Sequence, residues 1–336
     1  MGDKARSREI ATSLGIPIPP GSGILRGVEE AKEWAGKLSF PVIFKAAAGG
    51  GGIGMRKVEG MEEVEEALDE ASNRARLAFG DDRVYIEKYL ESPHHIEIQI
   101  LGDEDGNVVT FPERECSVQR RHQKVIEESP SPFATSELRL GLRQAARRLA
   151  QELGYTNAGT VEFVVDKDRN FYFLEVNTRL QVEHPITEMI TGLDLVEQQI
   201  RIASGEPLSI KEDNLKWNGW ALEARVYAED SENFYPSPGK IISYVEPCGD
   251  GIRVDSGYRA GDTITQFYDP LIAKLVVWGE DRSKAITRML EALADYEITG
   301  IKNNIDFLKK AFGSELFQSG SYDTHFIPRL KEGKNG

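Results

Sequence analysis

The sequence predicts an α/β to α+β protein, and three observations carry that prediction. In the first half, apolar runs typical of buried strands, such as FPVIFKAAA at 40–48, alternate with helical patterns such as the amphipathic stretch 61–79. The polar and irregular stretch 205–219 indicates a boundary. After it the composition shifts to short alternating strands followed by one helix. We therefore expect two domains, over residues 1–214 and 215–330.

Local signals predict the elements in chain order. A helical pattern over 4–14 ends at Gly15, and IPIPPGSG, residues 16–23, contains prolines and glycines that a helix does not cross. The further predicted elements are a helix over 28–37, strands over 40–48 and 55–60, a helix over 61–79, a strand over 84–90, a helix over 136–153, a hairpin over 159–177 and a helix over 282–296. The glycine run after Lys45 therefore lies at the tip of a hairpin.

Composition excludes several classes of function. The 336 residues include 55 acidic and 41 basic side chains, and a net charge of -14 argues against nucleic acid or an anionic membrane as the main partner. The two cysteines, Cys116 and Cys248, form neither a disulfide framework nor a zinc-site spacing, so we expect a cytoplasmic location. The stretch MGDKARSREIA has no apolar core typical of a signal peptide, and no apolar run approaches the roughly 18 residues that span a bilayer, so we expect no membrane targeting.

The glycine-rich stretch KAAAGGGGIGM, residues 45–55, predicts a phosphate-binding flap. Its glycines match G-x-G-x-x-G, but that dinucleotide motif opens a helix, whereas a strand follows here. A P-loop needs a lysine after the glycines, whereas Lys45 precedes them. Bare backbone amides above a lysine suit a lid over a nucleotide. A mobile surface hairpin without a ligand remains the alternative.

The hairpin GTVEFVVDKDRNFYFLEVN, residues 159–177, predicts a metal site. A turn centred on DKDRN places Glu162 opposite Glu175, and Asn177 opposite Thr160 on the same face. The other face is predicted to be apolar and to hold Val161, Phe163, Val165, Tyr172, Leu174 and Val176. Opposed carboxylates repel unless a cation lies between them, and such oxygen ligands suit magnesium. The alternative is a solvated hairpin face, where water screens the repulsion.

The run NTRLQVEHP, residues 177–185, follows the hairpin directly. Because Pro185 disfavours a helical residue before it, an extended chain is expected, with Arg179, Gln181 and Glu183 on one side. The guanidinium suits a small planar oxyanion, and the carboxylate could take a proton from it. The alternative is a plain surface ion pair between Arg179 and Glu183.

Two further clusters are weaker signals. HHIEIQI, residues 94–100, places His95, Glu97 and Gln99 on one strand face, where a histidine is usually just a satisfied polar residue. A basic run within ECSVQRRHQKVIEESP predicts either an anion site or a solvated charged loop. Its members are Arg120, Arg121, His122 and Lys124.

Together these features resemble the ATP-grasp biotin carboxylases, found in acetyl-CoA, propionyl-CoA and pyruvate carboxylases. The matching words are MGDK, FPVIFKAAAGGGGIGM, YIEKYLESPHHIEIQ, ERECSVQRRHQKVIEE, GTVEF, FLEVNTRLQVEHPITEMITG, ALEARVYAED, PSPGKI and YDPLIAKL. They span nearly the whole chain in family order, and RLQVEHP and QRRHQK are particular to the biotin branch. The resemblance implies an ATP-grasp fold with a glycine-rich lid over about residues 17–89 and a C-terminal biotin carboxylase subdomain.

The resemblance also implies a role for each matching residue. ATP would be bound by Lys4, Lys45, Gly50, Gly51, Gly52, Glu87, Lys88, Leu90, His95, Gln119 and His122. Magnesium or manganese would be bound by Glu162, Glu175 and Asn177. Bicarbonate would be held by Lys124, Arg179, Gln181 and Val182. Glu183 would deprotonate bicarbonate for attack on the γ-phosphate, and Arg225 would stabilise the biotin enolate.

The implied activity is a ligase reaction, the ATP-dependent carboxylation of carrier-bound biotin by bicarbonate through carboxyphosphate. The implied partners are a biotin carboxyl carrier and a carboxyltransferase subunit, and a second copy of the chain is a further candidate partner. Two alternatives stay open: an ATP-grasp ligase for another carboxylate, and a truncated nucleotide-binding paralogue without catalysis.

The sequence departs from the family pattern at three points. The family carries a Rossmann-like subdomain ahead of MGDK, whereas this sequence starts at that word. Ile53 stands where many relatives have an arginine in the flap. No A-M-K-M motif is present to accept biotin, so the carrier is expected to be a separate chain.

Overall fold

The computed structural model describes residues 4–48 and 54–333, with side chains from residue 6 onwards, and confirms the mixed helix and strand content. The helices are α1 (Lys4–Ser13), α2 (Val28–Leu38), α3 (Val64–Phe79), α4 (Ser136–Glu152), α5 (His184–Thr191), α6 (Leu195–Ala203), α7 (Arg282–Asp295), α8 (Ile305–Gly313), α9 (Glu315–Gln318) and α10 (Phe326–Lys331). The strands are β1 (Val42–Ala46), β2 (Arg56–Val58), β3 (Val84–Lys88), β4 (His94–Gly102), β5 (Val108–Thr110), β6 (Arg114–Arg120), β7 (Gln123–Ser129), β8 (Asn157–Val165), β9 (Phe171–Asn177), β10 (Trp220–Tyr227), β11 (Gly239–Lys240), β12 (Ser243–Val245), β13 (Ile252–Ser256), β14 (Thr263–Ile264), β15 (Leu271–Gly279) and β16 (Glu297–Thr299). Within these ranges no helix has both the length and the apolar character needed to cross a membrane.

One large antiparallel sheet organises the chain. Its strands run β13-β15-β10-β7-β6-β4-β8-β9, with β5 also paired to β4. Strand β10 pairs with β7 and places Glu223 opposite Glu127. The sheet therefore contains strands from both sides of the stretch 205–219. Helix α4 packs Leu142 and Leu149 into a core beneath β4 and β8. The sheet is therefore the platform that brings side chains from distant parts of the sequence together.

A smaller sheet, β2-β1-β3, lies apart from the large one in the hydrogen-bonding pattern. Strands β1 and β2 form the hairpin expected around the glycine run, with Phe44 opposite Arg56. Helices α2 and α3 cover this sheet, and Phe44 packs with Ala31 and Ala71 in one apolar cluster. The prediction of a strand after the glycines is confirmed, and the flap residues 49–53, including Ile53, lie outside the described residues.

The β8–β9 hairpin has the predicted register at its functional end. Glu162 lies opposite Glu175, and Thr160 lies opposite Asn177. A β-bulge after Glu162 changes the register toward the turn, so Phe163 pairs with Phe173. The predicted apolar face was therefore wrong at Tyr172 and Leu174. Phe173 is fully buried in the core, whereas Leu174 lines the same cavity as Glu162 and Glu175.

The β6–β7 hairpin turns at the middle of the basic run. Arg121 and His122 form its two-residue turn with φ of 51° and 66°, the left-handed backbone that tight hairpin turns require. A second irregularity places Val118 opposite Ile126 and Gln119 opposite Lys124, so β7 carries one extra residue there. Lys124 and Glu127, three positions apart, consequently both reach the same cluster of charged side chains.

The run after β9 does not form the extended segment that Pro185 suggested. A turn at 182–183 leads into α5, which begins at His184 with Pro185 in its first turn. Proline is well tolerated there because that position has no intrahelical partner for an amide hydrogen. The predicted convergence of three side chains was therefore wrong in part, since Gln181 and Glu183 are buried whereas Arg179 is exposed.

Candidate active site

A cavity of about 620 Å³ lies between the small sheet and the large one. Its lining includes most of the predicted nucleotide-binding and metal-binding side chains: Lys45, Glu87, Lys88, Leu90, His95, Gln119, His122, Glu162 and Glu175. Sequence reasoning missed the contribution of the C-terminal stretch, where Thr324 and Ile327 also line the cavity. A cleft of this size between two sheets suits a ligand as large as a nucleotide.

The wall formed by the small sheet is organised by Glu87. This carboxylate is buried and lies 2.6 Å from the Lys45 ammonium on the neighbouring strand. Its other oxygen accepts a hydrogen bond from Arg8 of α1, a residue that no sequence signal singled out. Lys88 donates to the carbonyl oxygens of Ser39 and Phe40, each at 3.1 Å. Lys45 is thus fixed at the cavity surface by a carboxylate that Arg8 also neutralises.

The opposite wall carries three glutamates in a row across three strands. Glu97 of β4 lies opposite Glu162 of β8, and Glu162 lies opposite Glu175 of β9. The ammonium of Lys124 lies among these carboxylates, 2.5 Å from Glu97 and 3.0 Å from Glu162. It also donates to Glu183 at 2.5 Å. One lysine therefore holds three carboxylates together.

These contacts determine the charge states of the cluster. Burial alone would raise the pKa of Glu183, but Lys124 and Arg225 outweigh it and hold that pKa below its ordinary value. Burial would likewise raise the pKa of Glu162, which Lys124 and His95 instead lower well below its usual range. Burial opposes the charge on Lys124, yet the neighbouring carboxylates raise its pKa well above normal. The carboxylates of Glu162 and Glu183 are therefore ionised at neutral pH.

His95 adds a second cationic group to this wall. Its Nε2 atom lies 3.3 Å from a Glu162 oxygen and 4.0 Å from Glu97. Burial disfavours the imidazolium, but the charge of Glu162 raises the pKa of His95 above its ordinary value. The histidine that sequence context left as an ordinary polar residue is thus part of the charged cluster.

Arg225 and Gln181 connect Glu183 to the rest of the sheet. Arg225 donates to Glu127 at 2.6 Å and to Glu183 at 2.9 Å. Gln181 donates to Glu162 at 2.7 Å. Glu183 therefore lies between two cations, Lys124 and Arg225, and shares Lys124 with Glu97 and Glu162.

Arg114 is the principal buried group that sequence reasoning missed. It is fully buried, and its guanidinium donates to Glu97 at 2.5 Å and to Gln181 at 3.0 Å. Further donations reach Gln99 at 2.8 Å and Thr187 at 3.1 Å. The word ERECS contains it, but nothing in that word indicates which strands will surround it.

Several predicted residues lie outside this buried cluster. Arg179 is exposed and donates to Asn177 at 3.4 Å, beside the predicted metal ligands rather than beside Glu183. Val182 presents its carbonyl oxygen to the Lys274 ammonium at 3.1 Å. The side chain of Lys4 and the residues Gly50, Gly51 and Gly52 lie outside the described residues.

The residues present fit a divalent cation. Glu162, Glu175 and Asn177 supply hard oxygen donors from two paired strands. Ligand atoms of His95, Glu97 and Glu162 also lie within 4.8 Å of one another. A cation at this wall would relieve the repulsion between the opposed carboxylates.

Comparison with known proteins agrees with this geometry. The family model described as carbamoyl-phosphate synthase L chain, ATP binding domain, matches residues 3–211, and the biotin carboxylase C-terminal domain matches residues 223–329. Biotin carboxylase 2 of Bacillus subtilis is 49% identical over 97% of this chain and 74% of its own length. This chain belongs to the biotin carboxylase family. The sequence resemblance is thereby confirmed.

Solved structures of biotin carboxylases have the same fold. One is the crystal structure of a biotin carboxylase-beta-gamma-ATP complex from Campylobacter jejuni. It is 46% identical with a TM-score of 0.96, and the match covers 98% of this chain and 74% of that one. The biotin carboxylase domain of Hydrogenobacter thermophilus 2-oxoglutarate carboxylase, in complex with MgADP, ADP and bicarbonate, has a TM-score of 0.95 at 46% identity, with 98% of this chain and 74% of that one covered. The ATP-grasp fold is confirmed. ATP-dependent carboxylation of biotin, a ligase reaction, is favoured over both alternatives that the sequence left open.

Proposed function

We propose that the residues around Glu183 carry out the carboxylation of carrier-bound biotin by bicarbonate and ATP. One observation carries the proposal: Glu183 is held between Lys124 at 2.5 Å and Arg225 at 2.9 Å, and it shares Lys124 with Glu162, which lines the cavity. One of the two cations can turn its hydrogen-bond donors from the Glu183 carboxylate to an anionic substrate. The carboxylate then lies beside that substrate as a base.

ATP would occupy the cavity between the two sheets, with its phosphates toward Lys45 and His122 and the flap glycines closing above them. Lys45 lines the cavity and is held by Glu87, which supports this placement. Glu162, Glu175 and Asn177 would hold Mg²⁺ or Mn²⁺, which offsets phosphate charge during transfer of the γ-phosphoryl group.

Bicarbonate would bind next to Lys124, Gln181 and Glu183, beside the backbone at Val182. Arg179, which lies next to Asn177, would have to turn toward Glu183 to contact it. Lys124 donates to the Glu183 carboxylate and lowers its basicity. When Lys124 turns its donors to bicarbonate, Glu183 loses that stabilisation and becomes a stronger base. It would take the bicarbonate proton while a carbonate oxygen bonds to the γ-phosphorus and the bond from that phosphorus to ADP breaks.

The resulting carboxyphosphate would divide into carbon dioxide and phosphate, and the phosphate would take the proton of the biotin ureido nitrogen. That nitrogen would then bond to carbon dioxide. Arg225 would stabilise the negative charge that develops on the ureido oxygen, because it is a fixed and buried cation. Its contacts with Glu127 and Glu183 keep it in place for that role.

The wider assignments follow from the family. We infer a separate biotin carrier, a carboxyltransferase partner and self-association, with residues 1–214 forming the ATP-grasp domain, its lid over about residues 17–89, and residues 215–330 the C-terminal domain. A cytoplasmic location is proposed because the thiols Cys116 and Cys248 are unpaired.

The test is ADP production by the purified chain with Mg²⁺, ATP, bicarbonate and free biotin, omitting each in turn. We expect turnover to require all four and Glu183→Gln to abolish it while ATP binding persists. Glu188→Gln is the matched control, because Glu188 is also buried in this segment but pairs with Arg253. Turnover without biotin would favour another ATP-grasp ligase, and ATP binding without any turnover would favour a non-catalytic role.

A further inference from the structure

Two buried carboxyl groups outside the proposed catalytic set lie next to Arg225. Glu127 of β7 is directly opposite Glu223 of β10, and both are 0% exposed. Residues opposite each other in an antiparallel pair have Cβ atoms about 4.5–5.5 Å apart, so the two carboxyl groups are neighbours. Among the described residues, neither Glu223 oxygen has a hydrogen-bond partner, and the same is true of Glu127 Oε2. A proton between the two groups would supply the missing donor.

The cations near this pair have other partners. Charged side chains approach it from every neighbouring element: Lys124 on β7, Arg225 on β10, Lys274 on β15 and Glu183 before α5. Lys274 lies 3.0 Å from Asp255 and donates to the Val182 carbonyl at 3.1 Å. Lys124 is engaged by Glu97, Glu162 and Glu183. Among the described residues, Arg225 is thus the one cation in contact with the pair, and it contacts Glu127.

Helix α5 closes the pair off from solvent. Its side chains Ile186 and Ile190 pack with Ala221 of β10 and with Val276, the β15 residue opposite Glu223. The titratable group at the start of α5 is His184, whose Nδ1 atom lies 2.8 Å from the Gln181 carbonyl oxygen. Burial lowers the pKa of His184, so it brings no positive charge to the pair at neutral pH. The carboxyl groups are therefore shielded from solvent beneath the helix, where two negative charges that share one cationic contact, Arg225, would be unfavourable.

Protonation of one member resolves this conflict. Burial raises the pKa of Glu127 to about 7 even though Arg225 opposes the rise. Burial and the nearby Glu127 raise the pKa of Glu223 well above its ordinary value. Glu127 accepts hydrogen bonds from Arg225 and Glu223 does not, so the proton belongs on Glu223.

We propose that Glu127 and Glu223 hold one proton between them, carried by Glu223, and thereby keep Arg225 shared between Glu127 and Glu183. The inference rests on the proposed function, in which Arg225 and Glu183 act on substrate. Glu127 and Glu223 are positioning residues. Loss of the proton would place a second negative charge beside Glu127, draw the guanidinium away from Glu183 and weaken the positive potential where negative charge develops.

The proton is tested directly by infrared spectroscopy. At neutral pH the C=O stretch of a protonated carboxylic acid is separate from the bands of ionised carboxylates. We expect such a band in the unchanged protein and its loss in Glu223→Gln. The matched control is Glu128→Gln, since Glu128 is also 0% exposed but reaches the opposite side of β7, where it pairs with Arg282 at 2.8 Å. The control should retain the band.

Kinetics test the positioning role. Glu223→Gln keeps the pair at one negative charge, so we expect kcat near neutral pH to be maintained and the alkaline decline of kcat to move upward by about one pH unit or more. Glu127→Gln removes the anchor of Arg225, and we expect kcat to fall about 10- to 100-fold, with the KM for ATP unchanged. Glu128→Gln should leave the pH profile in place.

Several results would overturn the inference. The infrared band could be absent from the unchanged protein, or it could persist in Glu223→Gln. The alkaline decline of kcat could also occur at the same pH in Glu223→Gln as in the unchanged protein. If Glu223→Gln does not fold, titration of the band in the unchanged protein decides instead, because a band that disappears at an ordinary carboxyl pKa contradicts a buried proton. A protein with the band but without biotin-dependent turnover would refute the proposed function and the positioning role, and leave the shared proton established.

Discussion

Replacement of Arg114 by methionine is expected to destabilise the protein by about 3–5 kcal/mol, the range for removing one partner of a buried ion pair. The fully buried guanidinium donates to Glu97 at 2.5 Å, to Gln99 at 2.8 Å and to Gln181 at 3.0 Å. The neutral hydrogen bonds to Gln99, Thr160, Gln181 and Thr187 add about 0.5–1.5 kcal/mol each to the cost. Burial of the methionine side chain offsets about 1.5–3 kcal/mol, less than most of that sum, so the net loss is expected toward the upper end of the ion-pair range.

The assay is urea denaturation followed by both tryptophan fluorescence and far-UV circular dichroism, with the free energy of unfolding obtained by linear extrapolation. The control is Arg83→Met, because Arg83 is exposed and pairs with Asp81 at 2.7 Å, where the expected loss is at most about 1 kcal/mol. Arg114→Lys keeps the charge but loses the planar guanidinium, so its loss in free energy of unfolding should lie between those of Arg114→Met and Arg83→Met. A loss for Arg114→Met no larger than that of the control would refute the reasoning.

Two further predictions concern stability. Burial would raise the pKa of Asp255, but Arg253 lowers it, so its contribution is present above its ordinary pKa of about 4 and is lost as the pH falls below that value. The difference in free energy of unfolding between the unchanged protein and Asp255→Asn should therefore close between neutral and acidic pH, and a constant difference would contradict the assignment. Gly102→Ala would place a Cβ atom 2.0 Å from the Tyr155 carbonyl oxygen and should cost about 1–3 kcal/mol in urea denaturation. Gly23→Ala meets nothing within 4 Å and should change stability by no more than about 0.5 kcal/mol, and equal effects would contradict the clash.

The sequence predicted those parts of the site that depend on short-range geometry. The turn after Val165 places Glu162 opposite Glu175, and that register is present. The same reasoning failed for Leu174, because a β-bulge after Glu162 changes the face on which the following residues lie. The pattern of apolar residues in the sequence does not indicate this bulge. Pro185 disfavours a helical residue before it, yet the helix begins at His184, since a proline in the first turn breaks no hydrogen bond.

The sequence could not predict contacts that depend on the order of strands. Arg114 and Gln181 are 67 positions apart, and Glu127 and Arg225 are 98 apart, so no local pattern relates them. The extra residue on β7 also breaks the period of two that would have linked Lys124 to its neighbours. Strand order across the large sheet follows from packing of the whole chain, and a single sequence carries no periodic signal for it.

The charges around Glu183 explain why the buried carboxylates need both cations and a bound proton to offset their negative charge. The cluster holds the carboxyl groups of Glu97, Glu127, Glu162, Glu183 and Glu223, but its embedded cations are Arg114, Lys124 and Arg225, so five potential negative charges face three positive ones. A proton on Glu223 removes one excess charge, and His95, whose pKa is raised, can remove another. ATP and bicarbonate would then add further negative charge at the same wall. A divalent cation at Glu162 and Glu175 would neutralise that addition, whereas the buried proton lies where no cation from solvent can reach. The two devices are therefore complementary, with the metal acting on substrate charge and the proton on the charge of the protein itself.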